Sequence, residues 1–254
     1  MKQTRWIMWL MLILFSSAID ESAANALPFC PGERLTYELK WAFLPVGEAV
    51  LEVGKMDVIN GEPAFHFILT ARSYPFLDMI FKVRDRIDSF TDVGITQSLH
   101  YRKNQHEGKT RRNIVVNFDW DRLQARYSMS GQTKKHIQIA PGSFDPLSVF
   151  FYSRTLKYRE NQEIVRPVTD GKRAILGRAR VVRREKLKVN GLTYDTYLLE
   201  PDLEHVSGVF EKSKNASIQL WVTADHRKIP VRIKSRVIVG NFSGDLIADE
   251  TICR

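Results

Sequence analysis

The stretch Leu35-Thr-Tyr-Glu-Leu-Lys-Trp41 decides the fold. Its apolar residues alternate with polar residues at a period of two, which is typical of a β-strand with one buried face. Elsewhere, similar runs flank the dipeptides Asn60-Gly61 and Asn190-Gly191. Asn-Gly between alternating runs is a strong signal for a β-hairpin, because both residues tolerate the positive φ angles of a tight turn. The sequence therefore predicts antiparallel strands that pair with their neighbours in the chain.

The alternating pattern continues along most of the chain. We expect a turn at Pro45-Val46-Gly47, after the first strand, and little helix between later strands. The further predicted strands are Glu48–Val58, Pro63–Tyr74, Val83–Thr91, Leu99–Gln105, Ile114–Trp120, Leu123–Met129, His136–Ala140, Arg178–Val189, Leu192–Leu199, Ser217–Thr223, Ile229–Val239 and Leu246–Ile252. The predicted fold class is mainly β, an antiparallel meander that forms a strongly curved sheet or half-barrel with one or two short helices.

Two segments have the pattern of a helix. Asp145-Pro146 combines a favoured N-cap residue with proline at the first helical position, and apolar residues follow at helical spacing. This pattern predicts a helix over Asp145–Leu156. The second segment is Pro75–Phe81, where Phe76, Leu77 and Ile80 share one face and predict a single turn or a few turns of helix.

Composition restricts the class of protein. Of the 254 residues, 44% are hydrophobic and 26% are charged, so the chain is neither a disordered tail nor a multi-span membrane protein. The formal net charge is +9. No Ser/Gly-rich linker divides the sequence, and we expect a single β-rich domain over residues 27–254. The polar stretch 157–173 is the best candidate for a soft junction within that domain.

The first 26 residues have the pattern of a signal peptide. Lys2 and Arg5 precede the apolar run Trp6–Phe15, and Ala24-Asn25-Ala26 fits the small-x-small pattern of a cleavage site. The ten-residue run is too short to span a bilayer as a helix. We therefore expect residues 1–26 to be removed on export, with an uncleaved anchor as the alternative. The expected compartment is the periplasm.

The two cysteines, Cys30 and Cys253, lie near the two ends of the exported chain. In an oxidising compartment such a pair predicts a disulfide that joins the ends. Two free thiols are the alternative. Their spacing is incompatible with a CxxC redox or zinc site.

Four motifs resemble an exported bacterial family called domain of unknown function 3108. They are Pro-Gly-Glu-Arg-Leu-Thr-Tyr-Glu-Leu-Lys-Trp at 31–41 followed by Gly47, Phe-Lys-Val-Arg-Asp-Arg at 81–86, Phe-Asp-Pro-Leu-Ser-Val-Phe-Phe-Tyr at 144–152, and Trp-Val-Thr-Ala-Asp-His-Arg-Lys-Ile-Pro at 221–230. The resemblance covers nearly all of the chain after the signal peptide. It implies a mostly antiparallel sheet, an envelope location and no established activity.

The sequence predicts no catalytic residue, metal ligand or cofactor. The six histidines lack HxH, HxxxH and HExxH spacings, and no GxSxG nucleophile motif occurs. Asp85 and Asp88 are three apart in a predicted strand, so they lie on opposite faces and cannot act together on one substrate. No recognition motif for nucleic acid is present, and we expect no nucleic-acid partner.

Basic residues concentrate around one predicted hairpin, at Arg102, Lys103, Arg111 and Arg112. Such a cluster attracts phosphates or an anionic membrane surface. We take these four residues, together with the aromatic residues Trp41 and Phe67 of neighbouring strands, as the candidate ligand-binding set. The alternative interpretation is that the basic residues belong to ordinary solvated strand faces and the aromatic residues to a filled core.

Three functions are consistent with these patterns. The first is an exported, non-enzymatic cell-envelope protein that binds an anionic lipid or another amphiphile, with peripheral membrane contact. The second is an envelope assembly or interaction factor that docks a protein or a polysaccharide, which a dry, filled interior would favour. The third is a hydrolase with an unrecognised site, which a cleft with His and Asp side chains in hydrogen-bond reach would favour.

Overall fold

A computed structural model describes residues 26–202, 216–237 and 240–253. The predicted signal peptide lies outside these residues except for Ala26, so the prediction of export by cleavage near this point remains a prediction. Residues 238–239, which end the predicted strand Ile229–Val239, also lie outside them.

The described residues form strands and two short helices, in the order of the chain. The elements are β1 (Arg34–Trp41), β2 (Leu44–Val53), β3 (Asp57–Ile59), β4 (Glu62–Ser73), α1 (Pro75–Phe81), β5 (Arg84–Asp92), β6 (Ser98–Glu107), β7 (Thr110–Asp119), β8 (Gln124–Met129), β9 (Gln132–Gln138), α2 (Ser148–Thr155), β10 (Glu163–Thr169), β11 (Ala174–Val189), β12 (Leu192–Pro201), β13 (Ser217–Thr223), β14 (Pro230–Val237) and β15 (Gly240–Asp249).

All the strands belong to one antiparallel sheet. Its order is β10-β11-β12-β13-β14-β15-β1-β2-β4-β5-β6-β7-β8-β9, and β3 pairs with β4 alone. Almost every strand pairs with its neighbour in the chain, and the first strand, β1, lies beside the last, β15. The predicted mainly β meander with one or two short helices is therefore confirmed.

The sheet is curved, and its two edge strands approach each other without pairing. Near this seam, the Nζ of Lys135 in β9 donates a hydrogen bond to the carbonyl of Lys172, in the turn between β10 and β11 (2.9 Å). At the same, C-terminal end of β10, Phe144 forms a parallel bridge with Val168. The result is a half-barrel whose seam is crossed by single contacts.

Helix α2 fills the concave side of the sheet. The ring of Phe151 stacks on Phe67 of β4, with centroids 3.8 Å apart, and both side chains are fully buried. Phe29, from the segment before β1, packs edge-on against each of these rings. Burial of such aromatic side chains is worth a few kcal/mol each, on the order of 2–3. The core therefore lies between α2, the N-terminal segment and the inner face of the sheet.

Asp145 caps α2 as predicted, although the helix itself begins at Ser148. One carboxylate oxygen of Asp145 accepts hydrogen bonds from the backbone N–H groups of Leu147 (2.9 Å) and Ser148 (3.0 Å). These N–H groups would otherwise lack partners at the helix start. Helix α1 has the predicted limits.

One predicted turn is wrong, and one strand was not predicted. Pro45-Val46-Gly47 lies inside β2, and the chain turns earlier, at Ala42-Phe43, where Ala42 has a φ of 54°. The polar stretch 157–173 contains β10, which pairs along its length with β11. The sequence pattern did not predict β10 because this strand contains a proline, a residue that is tolerated only at sheet edges or irregular positions.

The predicted disulfide between Cys30 and Cys253 is confirmed, with Cα atoms 5.6 Å apart. Gly32 permits the two ends of the chain to meet. Its φ is +99°, and a Cβ at this position would lie 2.5 Å from the carbonyl oxygen of Ile252. Only glycine combines this backbone conformation with so close an approach.

Over the described ranges, neither helix is both long and apolar enough to cross a membrane.

Candidate functional site

The four basic residues of the predicted ligand-binding set do not share one surface. Paired residues of neighbouring antiparallel strands lie on the same face of the sheet. Lys103 pairs with Ile87 and Ile114, which pack on the core, whereas Arg102 pairs with Asp88 on the opposite face. Arg112 pairs with Gln105 on the side of Lys103, and Arg111 pairs with His106 on the side of Arg102. We call the side away from the core the outer face.

Arg102 forms an ion pair with a buried carboxylate on the outer face. Its Nη2 lies 3.5 Å from the fully buried carboxylate of Asp88, which also accepts hydrogen bonds from Arg86 (2.7 Å) and contacts His66 Nε2 (2.9 Å). Burial would raise the pKa of Asp88, but the bonds from Arg86 and His66 outweigh it and hold the pKa below its ordinary value. Arg102 therefore helps to neutralise a buried charge.

The two aromatic members of the predicted set lie apart from each other. Phe67 is buried against Phe151 in the core, so it presents no surface to a ligand. Trp41 ends β1, is 49% exposed, and stacks on Phe242 of β15 with ring centroids 6.5 Å apart. The aromatic side chains are expected on inner, buried strand faces, and Trp41 instead lies partly exposed at the end of the sheet.

Two open grooves, of about 340 and 330 Å³, lie at the surface of the sheet. The first runs across β1, β2, β4 and β5, and each of its four arginines contacts a carboxylate: Arg34 with Glu52, Arg72 with Glu48, Arg84 with Asp78, and Arg86 with Asp88. The second is lined by Arg84, Asn104, Gln105, His106, Arg111, Arg112, Asn113 and Ser130. Both grooves are lined mainly by polar and charged residues, with several arginines in each.

One end of the sheet carries a cluster of exposed apolar side chains, which we call the apolar rim. It combines the β1–β2 turn with α1, and α1 has no buried residue at all. Phe43 in the turn is 89% exposed, and Met79 and Ile80 in α1 are 90% and 81% exposed. The rim consists of Trp41, Phe43, Leu44, Phe76, Met79, Ile80 and Phe81.

Specific contacts hold the two parts of the rim in place. The N–H of Tyr74, directly before α1, donates to the carbonyl of Val46 in β2 (3.0 Å). The carboxylate of Asp78 in α1 accepts a hydrogen bond from Ser73 Oγ (2.5 Å). It also forms an ion pair with Arg84 (2.5 Å). The exposed rings and methyl groups are therefore fixed at the end of the sheet.

Basic side chains adjoin the rim at the β6–β7 turn. The ring of Phe81 packs closely on Gly108, since a Cβ added to Gly108 would lie 2.8 Å from this ring. The backbone N–H of Gly108 also donates a hydrogen bond to the carbonyl of Lys82. Arg111 donates to the carbonyl of Gly108 (2.9 Å). We call Lys82, Lys109 and Arg111 the basic flank; within the described parts of the chain, none of the three forms an ion pair with a carboxylate.

Near the basic flank, Asp85 has an unusual titration. Burial raises the pKa of Asp85 to about 6, with a further contribution from the neighbouring carboxylate of Glu107. The backbone N–H of His106, which donates to Asp85 (2.8 Å), and the charge of Lys103 act in the opposite direction. Asp85 therefore changes charge just below neutral pH.

A protein-family model described as "Protein of unknown function (DUF3108)" matches residues 36–247. The chain belongs to the DUF3108 family. The resemblance drawn from the four sequence motifs is thereby confirmed. No curated protein matches the sequence.

The fold of this DUF3108 protein is similar to that of one solved structure. A beta-barrel-like protein of domain of unknown function DUF1849 from Brucella abortus is similar, with a TM-score of 0.57 at 9% identity over 88% of this chain and 99% of that chain. A chain from Parabacteroides distasonis, named provisionally as a lipoprotein, has a TM-score of 0.34 at 11% identity over 87% of this chain and 96% of that chain. At this identity, the first likeness concerns the fold alone.

Two buried polar clusters of the DUF3108 chain were missed from the sequence. Arg154 of α2 forms an ion pair with Glu33 before β1, and Asp145 accepts hydrogen bonds from the hydroxyls of Ser89, Ser98 and Ser148 (2.7, 2.6 and 2.7 Å). The side chains of both clusters are closed to solvent. Both clusters link α2 or the residues just before it to other segments of the chain, so we infer that they stabilise the fold. Among the described residues, no group of three or more His, Cys, Asp or Glu side chains could hold a metal ion.

Proposed function

We propose that this DUF3108 protein is an exported, non-enzymatic protein of the cell envelope that binds an anionic amphiphile at its surface. One observation carries the proposal: an exposed apolar rim adjoins basic side chains that have no carboxylate partners among the described residues. An apolar patch rimmed by positive charge suits a molecule with an acyl chain and an anionic head group.

The position of this surface changes the expected mode of binding. The sequence predicts binding by the basic hairpin together with the aromatic residues Trp41 and Phe67. In the structure, α2 and the rings of Phe29, Phe67 and Phe151 occupy the concave side. We therefore propose that the amphiphile contacts the outside of the protein at the apolar rim.

Export is the second part of the proposal. The Cys30–Cys253 disulfide favours an oxidising compartment, since cytosolic thiols are kept reduced. Together with the predicted signal peptide over residues 1–26, this supports the periplasm as the site of action. Cell fractionation of the full-length protein, followed by N-terminal sequencing, should place it in the periplasmic fraction with a start between Ile19 and Leu27.

Lipid binding is tested with the purified exported chain. We expect it to float with vesicles of phosphatidylglycerol and phosphatidylethanolamine, but not with phosphatidylcholine vesicles, and to bind monomeric lysophosphatidylglycerol in native mass spectrometry. Lys109→Ala combined with Arg111→Ala should weaken binding moderately and make it less dependent on salt, because screening acts on the charges. Absence of binding to every one of these lipids would refute the proposal.

A docking factor for the envelope is the second candidate, and the filled interior favours it. The occupant would then be a protein or an anionic polysaccharide on the basic outer face rather than a lipid. Retention of the chain on an acidic polysaccharide, with no binding to lipid in either form, would favour this candidate.

A further inference from the structure

We propose that the apolar rim is a membrane-insertion surface, which enters the interfacial layer of an anionic bilayer with α1 and the β1–β2 turn together. This inference rests on the proposed function and specifies the form of the amphiphile, a bilayer rather than a single lipid molecule. It also assigns the contact to side chains outside the predicted ligand-binding set, apart from Trp41.

The argument begins with α1, which buries none of its seven residues although five of them are Phe, Leu, Met or Ile. A helix in a soluble domain normally places its apolar stripe against the core. Here Met79 and Ile80 project away from the sheet, almost fully exposed. Exposed large apolar side chains that cluster indicate an interaction surface.

The second step is the location of the β1–β2 turn beside α1. The Tyr74–Val46 hydrogen bond joins the start of α1 to β2, two residues after Leu44, and Gly47 pairs with Ser73. Phe43 at the tip of the turn and the side chains of α1 consequently extend from the same end of the sheet. Two elements therefore present their apolar residues to one partner.

The third step is charge complementarity. Lys82 follows α1 directly, and Lys109 and Arg111 lie beside it in and after the β6–β7 turn. Basic residues near an anionic leaflet are attracted to its negative surface charge. The only acidic residue of α1, Asp78, accepts bonds from Ser73 and Arg84, so its charge is compensated within the protein. The surface thus presents apolar side chains with positive charge around them.

The residue types also favour a bilayer over a protein groove. Trp side chains prefer the membrane–water interface, and Phe, Met, Ile and Leu side chains enter the acyl layer below it. An interfacial segment of this kind enters about 5–10 Å deep. A turn and one short helix at the end of a sheet are sufficient for that depth.

The insertion is tested with vesicles of phosphatidylglycerol and phosphatidylethanolamine. The variant Met79→Gln/Ile80→Gln should lower the vesicle partition coefficient at least tenfold, because two exposed apolar side chains lose their transfer into the acyl layer. The control variant Val58→Gln/Leu192→Gln changes two apolar side chains, each 62% exposed, at the opposite end of the strands. It should bind as the unaltered chain does, and circular dichroism should show that both variants fold.

A second measurement reports the depth of Trp41. Acyl-brominated lipids should quench part of the tryptophan fluorescence of the bound protein, and this part should disappear in Trp41→Phe. Trp221 is buried, and Trp120 donates its indole N–H to the carbonyl of Ser98, so both should be quenched less.

Different failures have different meanings. Unchanged vesicle binding by Met79→Gln/Ile80→Gln would overturn the insertion surface and leave anionic lipid binding intact. Binding of monomeric lysophosphatidylglycerol without binding of vesicles would have the same meaning. Self-association in solution that the rim variant abolishes would also overturn the inference, because the rim would then contact a second copy. Loss of all lipid binding would refute both proposals.

Discussion

Arg154 and Glu33 form a fully buried ion pair, with Nη1–Oε1 at 2.6 Å and Nη2–Oε2 at 2.9 Å. The guanidinium of Arg154 also donates to the carbonyl of Arg227 (3.0 Å) and lies 5.1 Å from the ring centroid of Phe29. One side chain therefore joins α2, the N-terminal segment and the β13–β14 turn. The Cys30–Cys253 disulfide lies close to this junction in the chain, because Cys30 precedes Glu33 by three residues.

Removal of one partner of this pair should destabilise the protein strongly. Glu33→Ala leaves a buried arginine without its carboxylate, and such a loss costs about 3–5 kcal/mol. The double variant Glu33→Leu/Arg154→Met should lose less stability than Glu33→Ala or Arg154→Ala, because it leaves no unpaired charge. Urea unfolding followed by circular dichroism measures the three free energies, and additive losses in the double variant would contradict this interpretation.

The carboxylate of Asp145 should be the second determinant of stability around α2. Asp145→Ala removes the helix cap and leaves the hydroxyls of Ser89, Ser98 and Ser148 without their shared acceptor. We expect a loss of about 2–4 kcal/mol from cap and buried hydrogen bonds together. Asp145→Asn keeps the capping oxygen and should lose about half as much. Equal denaturation midpoints for the two variants would show that the cap contributes little.

Local alternation of apolar and polar residues was sufficient to predict most of the fold. Each strand carries its own period-two signal, and the Asn-Gly turns fix which strands are neighbours. β10, an edge strand that contains Pro167, was not predicted, and the three-residue strand β3 was predicted only as the end of the longer strand Glu48–Val58. In these two, pairing with a longer neighbour decides the conformation rather than a pattern of their own.

The surface was predicted less well, for two physical reasons. Arg102 and Lys103 are adjacent in a strand, so they point to opposite faces, and this signal was available in the sequence. The exposure of α1 could not be predicted from the sequence, because an apolar helical face normally predicts burial. Only the tertiary structure shows that α1 has no buried residue. Glu33 and Arg154 are 121 residues apart, and no local pattern joins them.

Loss of the disulfide should destabilise the exported chain without changing its fold. The bond closes a loop with a sequence separation of 223 residues, for which the loop-entropy model gives about 5 kcal/mol. The variant Cys30→Ser/Cys253→Ser should therefore unfold at a lower urea concentration with an unchanged circular dichroism spectrum. The unaltered chain under reducing conditions should match the variant; a large difference between the two would indicate that the serine substitutions themselves disturb the ends.

Asp85→Asn should change how stability depends on pH. The pKa of Asp85 is raised to about 6 in the folded protein, so between the unfolded value and pH 6 the folded state binds more protons than the unfolded state. This group therefore makes the protein less stable as pH rises through that range. The variant should gain melting temperature relative to the unaltered chain at pH 7.5 and lose that advantage by about pH 4. Differential scanning calorimetry of both chains, with the exposed Asp121→Asn as a control, measures the difference. A constant difference across this range would contradict the assignment, since other titrating groups such as Asp88 cancel in the comparison.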